Sequence, residues 1–118
     1  MLTKEVKEVE NPRPVRDMRE LCKTAATAHQ AGDKDTEELL LRLAVLKAGT
    51  LHSPVREAKI LNTMGVYALE NGEPSKAVPA FEQALGKAAA HLGTENKLYA
   101  AIEANLKRAR KQLSKADE

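Results

Sequence analysis

A chain of 118 residues with 42% hydrophobic and 31% charged side chains has the make-up of one soluble helical or globular domain. No run reaches the roughly 18 apolar residues of a membrane span, and the opening MLTKEVKEVE carries charges where a signal peptide is apolar. A formal net charge of +2 is too small to specify an acidic partner, and the single cysteine, Cys22, excludes an intrachain disulfide, so a cytoplasmic setting is expected, with Cys22 as a buried structural thiol.

In chain order, residues 1–13 alternate Lys, Glu and Val and end in Asn11-Pro12-Arg13-Pro14, which blocks helix continuation, so a flexible leader is expected there. The helical domain is expected over 14–115. From Pro14, the residues Val15, Met18, Leu21, Cys22, Ala25 and Ala28 form a helical stripe that stops at Gly32. Asp35 with Glu38 three residues on reads as a capping box for the next helix, whose apolar residues are Leu39, Leu40, Leu43, Ala44 and Leu46 and whose end is expected at Gly49. Ser53 and Pro54 open a third helix carrying Val55, Ala58, Leu61, Met64 and Ala68. Asn71-Gly72 turns the chain into a fourth, beginning near Ser75, with Ala77, Ala80, Phe81, Ala84 and Leu85 on one face. Pro79 disturbs its early turns, and Gly86, costly inside a helix, suggests close packing on a neighbour. Thr94 is the expected cap of a fifth helix with the seam Leu98, Ala101, Ile102, Leu106, Ala109 and Leu113.

The pair at 53–93 resembles the tetratricopeptide repeat, a unit of two antiparallel helices. With Ala58 as its first position, Leu61, Met64, Gly65, Ala68, Ala77, Phe81 and Ala84 fall on the family's signature places and Gly72 on its turn. Two places depart from the pattern. Ala68 stands where the family has Tyr, with Tyr67 one residue early, and Ala89 stands near the family's usual Pro. Setting Gly32 against Gly72 makes 14–49 a degenerate earlier copy, in which Thr24 and Glu37 do not suit buried places, with its extra length falling in Gly49–Ser53 and in lengthened helix ends. The segment 94–115 suits a terminal capping helix better than a third repeat, because Asn105 replaces an apolar place. The resemblance implies an all-α, right-handed stack of antiparallel helix hairpins, about five helices in all.

Catalysis finds no constellation in this sequence. His29, His52 and His91 lack metal-binding spacing and read as surface or cap residues, and no glycine-rich phosphate loop occurs. No enzyme activity, cofactor or metal is expected. Between Lys97 and Lys115 six cations face the single acid Glu103. That helix is a solvated basic face or a binder of nucleic acid or acidic protein, and the three aromatics Tyr67, Phe81 and Tyr99 argue against a nucleic-acid stacking platform.

In the tetratricopeptide family the first helix of each pair lines a concave groove that receives a peptide or protein. Carried over, the protein-binding residues are Lys59, Asn62, Val66 and Leu69 in the clear repeat and Arg19, Cys22, Ala26 and His29 in the degenerate one. Val66 and Leu69 supply apolar contacts, Lys59 and Asn62 polar ones, which suits an amphipathic or extended segment. The expected function is therefore a non-enzymatic protein-interaction module. The alternatives are a self-assembling adaptor, a homodimer closed through the open end of a short stack, and a nucleic-acid binder through the last helix.

Overall fold

The computed structural model describes residues 13–116 as five α-helices, with no strand among the described residues. They are α1 (Arg13–Gln30), α2 (Lys34–Thr50), α3 (Pro54–Glu70), α4 (Pro74–Leu92) and α5 (Lys97–Ala116). The expected leader lies outside the described residues, save Arg13, which is the first residue of α1.

The first three connections are one turn used three times. Gly32, His52 and Gly72, twenty residues apart, take the left-handed conformation with φ of 77°, 52° and 76°. At each, the left-handed residue donates its N–H to the carbonyl three residues back, and the next residue donates to the carbonyl five back: Asp33 to Ala28 at 2.9 Å, Ser53 to Ala48 at 3.0 Å and Glu73 to Ala68 at 2.8 Å. These bonds satisfy carbonyls that every helix end leaves free. Three-residue links reverse the chain, so successive helices run antiparallel.

Three expected boundaries need correction. Gly49 does not end α2; the helix continues to Thr50 and His52 takes the left-handed place, so the link from α2 to α3 is as short as the others. No extra length therefore falls in Gly49–Ser53. The cap of α2 is Asp33 rather than Asp35, since Asp33 Oδ1 accepts the Thr36 N–H at 3.2 Å. The cap of α5 is Asn96 rather than Thr94: its Oδ1 accepts the Tyr99 N–H at 2.9 Å while its Nδ2 donates back to the Gly93 carbonyl at 2.9 Å.

Two apolar clusters share α3. Met18 and Ala25 of α1, Leu41, Ala44 and Ala48 of α2 and Ile60 of α3 form one; Leu61 of α3, Phe81 and Ala84 of α4, and Ile102, Leu106 and Ala109 of α5 anchor the other. Ile60 and Leu61, adjacent in sequence, point into different clusters, which is how one helix holds both hairpins. α3 and α4 approach so closely at Gly65 that any Cβ there would collide with the Phe81 ring. Burying that ring completely is worth about 2–3 kcal/mol. Ion pairing adds to the contact, with Lys87 Nζ 3.1 Å from Glu57.

Gly86 contradicts its expected role, because a Cβ there would meet nothing within 4 Å. Ala101 is exposed although the α5 seam had included it. Cys22 is half-buried, and that burial raises its thiol pKa. The largest correction concerns α2: Leu41 is fully buried, while Leu39, Leu43 and Leu46 face solvent. Ala44 of the expected stripe is buried, so the stripe mixed two faces: Leu40 to Leu46 are apolar on so many sides that periodicity singles out none.

Candidate functional site

The residues carried over from the family resemblance fall into two places. Lys59, Asn62, Val66 and Leu69 lie at helical spacing on one side of α3, with Lys59 exposed and the other three half-buried. Asn62, Val66 and Leu69 face α5. Asn62 Oδ1 accepts from Asn105 Nδ2 at 3.0 Å, and Asn105 Oδ1 in turn accepts from Arg108 Nη2 at 3.1 Å. Val66 and Leu69 then line a cavity of about 230 Å³ with Glu70, Arg108 and Gln112. The result is a short groove between α3 and α5 with an apolar wall on one side and amide and guanidinium groups on the other.

Asn105, Arg108 and Gln112 were absent from the sequence-based site. The signal was Asn105 itself, an amide in an otherwise apolar seam, whose partner Asn62 is 43 residues away. Polar groups this close to a core persist where they are paired.

Arg19 and His29 lie on α1. Arg19 is exposed, and no hydrogen bond among the described residues ties it to the α3 set. His29 is only 16% exposed and is not a free groove residue. Its Nδ1 lies 2.5 Å from Glu37 Oε1, its Nε2 lies 2.6 Å from Glu70 Oε1, and its ring stacks on Tyr67 with centroids 4.0 Å apart and planes 6° apart. Glu37, 6% exposed, also accepts from Asn71 Nδ2 at 3.4 Å. Sequence reasoning had treated Glu37 as ill suited to burial; its cost is met by these partners.

With a carboxylate at each ring nitrogen, the doubly protonated imidazolium is the form that satisfies both bonds. Partial desolvation works against the charge, but the hydrogen bonds and charges of Glu37 and Glu70 outweigh it and raise the His29 pKa. Burial, aided by the same two carboxylates, raises the Tyr67 phenol as well. His29 therefore fastens the ends of α1 and α3 to the start of α2. Both nitrogens being engaged, its chemistry is that of a cationic bolt rather than a base or a ligand.

A second depression, about 590 Å³, opens between α2 and α4, walled by Val45 and Leu46 on one side and Pro79 and Gln83 on the other, with Met64 at its floor. Pro79 lacks the N–H that would meet the Ser75 carbonyl, and since both residues are exposed at this opening, water can serve in its place. Among the described residues no helix is long and apolar enough to cross a membrane, and no group of three or more His, Cys, Asp and Glu is arranged to hold a metal ion.

Comparison with known proteins finds no protein-family model, no curated protein and no solved structure that matches this chain.

Proposed function

We propose that the chain is a tetratricopeptide-like, right-handed stack of two hairpins closed by α5, acting in the cytoplasm as a non-enzymatic module that binds a peptide or protein segment. Support for the stack comes from the turn repeated at residues 32, 52 and 72 and from Gly65 packing on Phe81. Support for binding comes from one observation above others: Val66 and Leu69 remain only half covered at a cavity whose opposite wall is Arg108 and Gln112. An apolar strip beside the Arg108 guanidinium, the Gln112 amide and the Glu70 carboxylate suits an extended or amphipathic segment of mixed polarity.

Binding to nucleic acid through the basic side of α5 is the weaker reading. Phe81 is fully buried, Tyr67 is covered by His29, and Tyr99 is packed against the core, so none of the three aromatics is free to stack on a base.

The test is affinity capture from the native host, followed by titration of each captured protein in purified form against wild type, Val66→Glu and Arg108→Glu. Loss of at least tenfold in affinity with both variants, but not with Arg56→Glu on the exposed side of α3, is the expected result. Partners that bind all four proteins equally would remove the groove from consideration.

A further inference from the structure

The two carboxylates that grip His29 are not equivalent. Glu37, with Oε1 at 2.5 Å from Nδ1, is 6% exposed and also accepts from Asn71, so it has little access to water. Glu70, with Oε1 at 2.6 Å from Nε2, is more than half exposed and is the last residue of α3, free to rotate into solvent. A neutral imidazole carries one N–H and donates to only one of the two. Taking the donor from the buried carboxylate costs more than taking it from the exposed one, which water solvates. The proton of neutral His29 therefore stays on Nδ1 facing Glu37, and the bare lone pair of Nε2 repels Glu70.

Glu70 has a second place to go. It lines the cavity between α3 and α5, where Arg108 is the only cation among the lining residues. Arg108 is exposed, donates to Asn105 at 3.1 Å and pairs with no acid among the described residues. A carboxylate at the C-terminal end of a helix is disfavoured by the helix dipole, so a released Glu70 is drawn to a cation. The other titratable groups at this junction do not interfere. Tyr67 of α3 stacks on His29 and Cys22 of α1 lies beside Tyr67, but burial pushes both pKa values up, away from neutral pH.

We infer that Glu70 is shared between His29 and the groove: protonated His29 holds it and leaves Arg108 free, and neutral His29 releases it to pair with Arg108. Only the consequence rests on the Val66–Arg108 groove being the binding site, namely a weaker hold on any carboxylate that a partner places against Arg108 once His29 is neutral. The exchange itself needs no ligand, so it can fail while the groove stands, and the groove can fail while the exchange stands.

Nitrogen-15 NMR of the full chain across a pH titration tests it. Neutral His29 is expected as the Nδ1–H tautomer, with Nε2 unprotonated. Arg108→Gln, which removes the alternative partner of Glu70, should raise the proton affinity of His29 by about two- to fivefold. In a Glu70→Gln background the same substitution should leave that affinity unchanged, because the coupling runs through the lost carboxylate. Lys107→Gln, an exposed neighbour that does not line the cavity, should leave it unchanged in both backgrounds. An Nε2–H tautomer would overturn the inference. So would an Arg108→Gln effect that is missing or that persists with Glu70→Gln, or a His29 that stays charged for as long as the protein is folded.

Discussion

The ring of Phe81 occupies the space that a side chain at Gly65 would fill, and this fixes how closely α3 and α4 approach. Gly65→Ala is therefore expected to force the helices apart at a cost of about 1–3 kcal/mol, seen as a lower melting temperature. Gly86 is also helical but faces open space, so Gly86→Ala should stabilise by about 0.5–1 kcal/mol through backbone entropy alone. Opposite shifts in the same thermal melt would bear out both environments; a tolerated Gly65→Ala would contradict the close approach.

His52 holds the left-handed position that glycine fills in the two related turns. A side chain there costs about 1 kcal/mol or more, partly offset in glycine by its freer unfolded state. His52→Gly is expected to raise stability by about 0.5–1 kcal/mol in denaturant titration. A loss would mean that the imidazole contributes something beyond the turn.

For His29 the folded pKa lies above its unfolded value of about 6.5, so the charged form is the one that stabilises. Its contribution is complete below about pH 6.5 and is lost as pH rises through the folded pKa. His29→Gln should cost about 1–2 kcal/mol near pH 6. The gap between wild type and variant should narrow as the solution becomes more alkaline. Parallel stability curves for the two proteins across this range would exclude a charged junction.

Asp33 and Asp35 separate by role although both stand at the start of α2. Its bond to Thr36 holds the Asp33 carboxyl below its usual pKa, and Asp33→Ala should lower the melting temperature. Asp35→Ala should change it little, because Asp35 accepts no capping bond among the described residues. Reversal of that order would restore the capping box at Asp35 and Glu38.

Helices and their apolar faces were legible in the sequence where the pattern was narrow, as for Met18, Ala25 and Ala28 in α1 or Ala77, Phe81 and Ala84 in α4. In α2, Leu39 through Leu41 and Leu43 through Leu46 offer several equally apolar faces, and only Ile60 and Met18 on neighbouring helices decide that Leu41 turns inward. The α3 wall of the candidate groove could be written down from the family resemblance because its spacing is local. Its other wall could not, since Asn62 with Asn105 and His29 with Glu70 join residues about forty apart, and polar pairing at that distance leaves no periodic trace. His29 was placed in the groove because helical spacing specifies a face but not what stands opposite it.

The turn repeated at residues 32, 52 and 72 sets a rule for how this chain tolerates insertions. Because each link is three residues long and fixed by two backbone bonds, an added residue within a helix cannot be absorbed there. It would rotate everything beyond it by about 100° and swing the next packing face out of register. A one-residue insertion inside α2 or α3 is therefore far more disruptive than any single exposed substitution on the same helix.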